Sequence, residues 1–237
     1  MSFRNREQAA RRLAEELRAC KGKRPLVLAV PRGAVPMGRI LAEALDGELD
    51  VVLVHKLGAP GNPEYAIGAV AESGEVVMSD APDVAAVPRS YVEAETERQL
   101  ATLRARRARF TPGRAAADPR DRVVIVVDDG IATGSTLKAA LQVVRARAPR
   151  ELIAAVAVAP EESAAALEPL ADRVVCLETP PRFFAVGQFF DDFRQVGDDE
   201  VAEILHEAAR RRAGAGAREA RAAAAAARPP AGAAAER

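Results

Sequence analysis

The sequence predicts an α/β fold: a parallel sheet flanked by helices, carrying a small hood. Three observations predict it. Short apolar runs rich in β-branched residues recur at 26–30, 51–54, 123–127, 152–158 and 174–177, each about as long as a strand buried on both faces. Stretches with apolar residues at helical spacing lie between them, and such alternation implies parallel strands joined by right-handed crossovers. The chain has 237 residues, is 49% apolar and contains no Trp, which suits one α/β domain with an aliphatic core.

Composition narrows the function classes. Basic and acidic residues balance at 34 each, so nucleic acid and membrane surfaces are not expected partners. Two cysteines, Cys20 and Cys176, are too few and too far apart for a disulfide framework. With no amino-terminal apolar signal segment and no spanning run, the expectation is a soluble, cytoplasmic protein. Residues 1–212 are expected to form one domain, with the hood built from about 1–22 and 178–212. The Ala/Arg-rich stretch 213–237 has no large apolar residues to bury and is expected to be disordered or a frayed helix.

Residues 5–20 carry Leu13 and Leu17 on an alanine-rich stripe with Arg and Glu outside, the pattern of a packing helix. Leu26 to Val30 form the first strand. Pro31-Arg32-Gly33-Ala34-Val35-Pro36 then marks a tight backbone before a helix at about 37–45. Arg32, at a strand's carboxyl end, faces the crevice where open α/β sheets take ligands; the Gly33 and Ala34 amides can grip an anion beside it. Val51 to Val54 is the second strand. The Gly- and Pro-dense run 55–64 reads as a loop, with Lys56 as a second cation. A hairpin through Ser73-Gly74 is expected to join 66–70 to 75–78, followed by a long helix over 88–110. Its arginines (104, 106, 107 and 109) read as a solvated face with salt pairs.

The central run is Val123-Val124-Ile125-Val126-Val127-Asp128-Asp129-Gly130-Ile131-Ala132-Thr133-Gly134-Ser135-Thr136. A buried strand ends in two carboxylates, a small-residue loop turns, and Leu137, Ala140, Leu141 and Val144 start a helix near Ser135. Gly130 and Gly134 let the backbone turn and approach a ligand. Loop amides and the helix amino end favour an anion there, and Thr133, Ser135 and Thr136 add hydroxyl donors. Ionised carboxylates only accept hydrogen bonds, so Asp128 and Asp129 suit a diol. Phosphate below and vicinal hydroxyls above describe a ribose 5-phosphate. The P-loop is set aside because Gly134, not Lys, precedes Ser135, and the three spaced glycines of a dinucleotide site are missing.

At these residues the chain resembles the type I phosphoribosyltransferases, whose signature for 5-phosphoribosyl-1-pyrophosphate is an apolar strand, two acids and Gly-x-x-Thr-Gly-Ser-Thr. The resemblance implies that Asp128 and Asp129 hold the ribose hydroxyls and that Gly130 and Ala132 to Thr136 hold the 5-phosphate. It also implies that Arg32, Gly33 and Ala34 form the pyrophosphate loop, often with a non-proline cis peptide, and that Lys56 is a second pyrophosphate cation. The segment 183–194 holds five of the seven Phe residues, a stacking surface or an aromatic subcore. It resembles the hood of hypoxanthine–guanine phosphoribosyltransferases, which implies Phe184 as the stacking ring and Asp191 as a magnesium ligand beside Asp128 and Asp129. No lysine occupies the run Glu178-Thr179-Pro180-Pro181-Arg182 before Phe184, where that family reads the purine, so the acceptor base or amine stays open. The implied activity is transfer of the phosphoribosyl group with magnesium and release of pyrophosphate, with Asp128, Asp129, Arg32 and Lys56 as catalytic residues and pairing into a homodimer. The alternative is a non-catalytic regulator that binds the sugar diphosphate.

Overall fold

The computed structural model of the protein describes residues 2–79 and 81–226, leaving aside the side chains of 63, 64, 82, 83 and 215–226. Asn5 caps the first helix, α1 (Arg6–Glu16), its side chain accepting the Gln8 N–H at 3.0 Å, which satisfies one orphan donor of the first turn. β1 (Leu26–Ala29) leads through a tight turn into α2 (Val35–Ala44). Pro36 lies in that first turn, where a missing N–H breaks no helical bond.

The expected strand at 51–54 divides between two sheets. Val51 closes β2 (Glu48–Val51), and Val54 opens β3 (Val54–Ala59). The expected loop at 55–64 is therefore mostly strand, since β3 pairs antiparallel with β4 (Asn62–Ala71). Pro60-Gly61 makes the connection, with Gly61 at φ +74°. Proline followed by a positive-φ glycine meets the demands of a tight turn, so this Gly/Pro density marks a hairpin tip. β5 (Val76–Met78) joins β4 through Gly74, at φ +95°, as expected.

α3 (Arg89–Phe110) follows, then β6 (Val123–Asp128), α4 (Ser135–Ala146), β7 (Glu151–Val158), α5 (Glu161–Ala165), β8 (Arg173–Glu178) and α6 (Asp198–Ala226). The main sheet is parallel, in the order β2-β1-β6-β7-β8. Its alternate residues serve two cores. Val27, Ala29, Ile125, Val127 and Ile153 face the layer that includes Leu13 of α1 and Leu41 of α2. Leu26, Leu28, Val124, Val126 and Leu152 face Leu137, Leu141 and Val144 of α4. Each large aliphatic side chain so buried stabilises the fold by about 1.5–3 kcal/mol. The parallel α/β sheet with flanking helices is the fold expected from the sequence.

From β1 the chain moves outward to β2 on one side, and β6 pairs with β1 on the other. The connections diverge there, which opens a crevice at the carboxyl ends of β1 and β6. A hood covers it. The Phe3 N–H donates to the Phe189 carbonyl at 2.7 Å and the Asp191 N–H to the Phe3 carbonyl at 2.8 Å. Rings of Phe3 and Phe190 lie 5.3 Å apart, Phe190 and Phe193 5.0 Å, and Phe183 and Phe189 5.1 Å. Four of the five phenylalanines in this segment thus build an aromatic subcore, and Phe184 stands outside it, 88% exposed.

α6 runs past residue 212, where the domain was expected to end, and continues to Ala226. Alanine and arginine are strong helix formers, and a helix already nucleated propagates easily. Arg211 and Arg212 pair with Glu43 and Glu48 along the way. Residues 227–237 of the expected tail lie outside the described residues. Among the described residues no helix is long and apolar enough to cross a membrane.

Candidate active site

The acid pair sits where β6 meets the crevice. The Asp129 N–H donates to Asp128 Oδ1 at 2.9 Å. Burial pushes the Asp128 carboxyl well above the usual carboxylate range, and the neighbouring Asp129 charge adds to the effect. Burial also raises Asp129, against the pull of Arg6. Arg6, the first residue of α1, donates from Nε to Asp129 Oδ2 at 2.7 Å. No feature of the sequence distinguishes Arg6 from the other arginines of that helix; only the fold brings it here.

Beyond the acids the loop is held by its own backbone. The Ile131 N–H donates to the Val158 carbonyl at 3.0 Å, and Ser163 Oγ donates to the Ala132 carbonyl at 2.6 Å. A Cβ on Gly130 would come within 2.6 Å of Val186 Cγ1 and 2.9 Å of Val158 Cγ1, so only glycine fits. Gly134, at φ +70°, precedes α4 and offers no side-chain cap; the Ser135 N–H has a long bond to Thr133 Oγ1, at 3.5 Å, and the amino end of the helix favours an anion. Thr133 and Ser135 stand beside it, their hydroxyls 3.5 Å apart.

Directly beside the acids lies the turn after β1. The Pro31–Arg32 peptide is cis, as the family resemblance implies. A Cβ on Gly33 would collide with the Asp129 carboxylate and lie 3.3 Å from Arg6 Nη2. Ala34 is buried and is the N-cap residue of α2. Arg32 reaches Asp198 of α6 at 3.4 Å.

Arg32, Gly33, Asp128, Asp129 and Thr136 line one cleft of about 640 Å³. Its roof comes from Arg6 and from Phe193, Gln195, Val196 and Asp198, and α3 contributes Arg106. The other nine expected residues are not among those lining it: Ala34, Gly130, Ala132, Thr133, Gly134 and Ser135 belong to the two turns that flank it, and Lys56, Phe184 and Asp191 are placed elsewhere. Lys56 lies on β3, paired with Ala69 in the small sheet. Phe184 points to solvent, and Phe193 takes the place in the cleft. Asp191 is exposed, its backbone tied to Phe3. Among the described residues no group of three His, Cys, Asp or Glu gathers closely enough to cage a metal ion.

The arginines of α3 also differ from a uniformly solvated face. Arg107 is buried, donating to Asp50 Oδ1 at 2.7 Å and Glu72 Oε2 at 2.6 Å. Arg109 pairs with Asp198 at 2.6 Å. Arg106 projects at the cleft rim.

The family model described as a phosphoribosyl transferase domain matches residues 2–193. The chain belongs to this family. Two curated relatives from Mycobacterium tuberculosis, of strains CDC 1551 and H37Rv, carry the provisional name phosphoribosyl transferase; each is 43% identical over 218 residues, covering 91% of this chain and 49% of the relative. The chain thus spans about half the length of these phosphoribosyl transferase relatives. A solved structure, TT1426 from Thermus thermophilus, superposes with a TM-score of 0.80 at 45% identity, covering 87% of this chain and 99% of that one. The acid pair, the turn after β1 and the uncapped start of α4 all fall within the matched phosphoribosyl transferase domain.

Proposed function

We propose that the chain transfers the 5-phosphoribosyl group from 5-phosphoribosyl-1-pyrophosphate to a nitrogenous base or amine, releasing pyrophosphate. One observation carries this reading. The paired carboxylates of β6 and the Arg32–Gly33 turn of β1 lie side by side at the carboxyl ends of adjacent strands and line a single cleft together with Thr136 of α4. A carboxylate pair accepts from vicinal hydroxyls, a guanidinium favours a diphosphate, and a helix amino end favours a terminal phosphate. The three parts match the three parts of the sugar diphosphate.

In this mechanism the amides and hydroxyls of Ala132 to Thr136 hold the 5-phosphate. Asp128 and Asp129 accept from the ribose hydroxyls and favour positive charge developing on the ring. Arg32 and the amides of Gly33 and Ala34 stabilise charge developing on the pyrophosphate. The acceptor nitrogen approaches C1 from the face opposite that leaving group, and the hood excludes water. Magnesium suits the donor set, because it commonly takes one or two carboxylates and completes its shell with substrate phosphates and water. Asp128 and Asp129 are the residues that would hold it, and it would supply charge neutralisation on the leaving pyrophosphate. Asp191 is not included, since the cleft does not receive it.

The test is pyrophosphate release from the sugar diphosphate with magnesium as purines, pyrimidines and simple amines are added singly. Release with one acceptor class is the expected result. Tight binding with no release from any acceptor would reject the transferase reading.

A further inference from the structure

Arg6 makes more contacts at the cleft than a hood residue needs. Its Nε donates to Asp129 Oδ2 at 2.7 Å, and its Nη1 donates to the Arg194 carbonyl at 2.8 Å. Its guanidinium carbon lies 3.8 Å from the centre of the Phe193 ring, which also stacks on Phe190 at 5.0 Å. Nη2 is close enough to Gly33 that a Cβ there would lie 3.3 Å away. The side chain is only 12% exposed, and the Asp129 side chain 11%. One planar group therefore joins the candidate diol acid, the 193–194 segment of the hood and the turn after β1.

We infer that Arg6 is a positioning residue of the sugar site, fixing one oxygen of Asp129 so that the rest of the carboxylate faces the ribose. This rests on the reading that Asp129 accepts from a ribose hydroxyl, here taken as the 2-hydroxyl. A carboxylate has about four lone-pair sites. Arg6 occupies one on Oδ2 and so sets the rotation of the group and the direction of the rest. Because Nη1 is held by the backbone at Arg194, the hood has to be seated for that orientation to exist. The fork carries the role, since a lysine keeps the charge but offers no rigid pair of donors.

A test of orientation compares two ligands that differ by one hydroxyl. Ribose 5-phosphate and 2-deoxyribose 5-phosphate are titrated by calorimetry, with magnesium, into the wild-type chain, Arg6→Gln and Arg6→Lys. A site built to bond a hydroxyl rejects the analogue lacking it, and one well-made bond of this kind is worth roughly tenfold or more in affinity. The wild type is expected to prefer ribose by at least about that factor. Arg6→Gln is expected to lose most of the preference while its affinity for the deoxy sugar changes little, and Arg6→Lys to fall between. If Arg6 only braces the hood, both sugars weaken together and the ratio survives, which would overturn the inference. An unchanged ratio in Arg6→Lys would overturn the fork's part in it, even should Arg6→Gln fail to fold. If the wild type itself shows no preference, the diol reading of Asp129 fails, and the role of Arg6 falls with it.

Discussion

Asp128 works against the fold that holds it. Its carboxyl is raised by burial and by Asp129 beside it, so the native state favours the protonated form more than the unfolded chain does. The resulting stabilisation is complete below the ordinary carboxylate range and is lost as pH rises through the raised value. Asp128→Asn removes the penalty and keeps an acceptor for the Asp129 N–H. Its melting temperature is expected to exceed the wild type's at neutral pH, with the gap closing on acidification, while affinity for the sugar diphosphate disappears. Calorimetric melts across pH together with a binding titration check both halves. Gly33→Ala provides the steric counterpart: its methyl meets the Asp129 carboxylate and Arg6. Sugar-diphosphate binding is expected to drop by about a hundredfold, since roughly 3 kcal/mol of misplacement is enough, and isothermal titration reads it directly. Asp128, Asp129, Arg32 and Gly33 were legible in the sequence because each lies at the end of an apolar run. Arg6 was not, because its partner is 123 residues away and nothing local marks a pair that only the fold creates.

At the scale of elements, the buried guanidinium of Arg107 joins three parts. It donates to Asp50 at the end of β2, to Glu72 beyond β4 and to the Val51 carbonyl at 3.0 Å, and so fastens α3 and the small sheet to the edge of the main one. Breaking a buried ion pair from one side strands the other charge and typically costs 3–5 kcal/mol. Arg107→Ala is expected near the lower end of that range, about 3 kcal/mol, because Arg114 also approaches Asp50 at 3.3 Å. A urea midpoint shifted down at unchanged slope would agree; a shift under about 1 kcal/mol would mean that the cluster contributes little. The same elements show where sequence reading reaches its limit. The run Val51 to Val54 is one continuous apolar pattern, yet it crosses between sheets, and periodicity within a strand carries no information about which sheet the strand enters. Phe184 and Phe193 are similarly alike as letters. The hood's pairing with Phe3 decides which one faces the cleft.

For the molecule as a whole, the cleft lies where main sheet, hood and α3 meet, so a ligand there is in contact with parts of the chain far apart in sequence. A ligand that binds only the folded state stabilises it by about 2.7 kcal/mol at a hundred times its dissociation constant. For a domain of roughly 200 residues that corresponds to a rise of about 5–10 °C in melting temperature. Sugar diphosphate with magnesium is expected to give such a rise. Adding a chelator should remove much of it, because the pyrophosphate then meets the acid pair without a cation between them. Asp128→Asn combined with Asp129→Asn should abolish it at every ligand concentration. Scanning calorimetry of the two proteins under the three conditions separates the contributions: a rise that survives in the double variant would show that the sugar diphosphate is held elsewhere. Equal rises with and without chelator would place the burden of the diphosphate charge on Arg32 and Arg106, the cations lining the cleft that Asp129 does not engage.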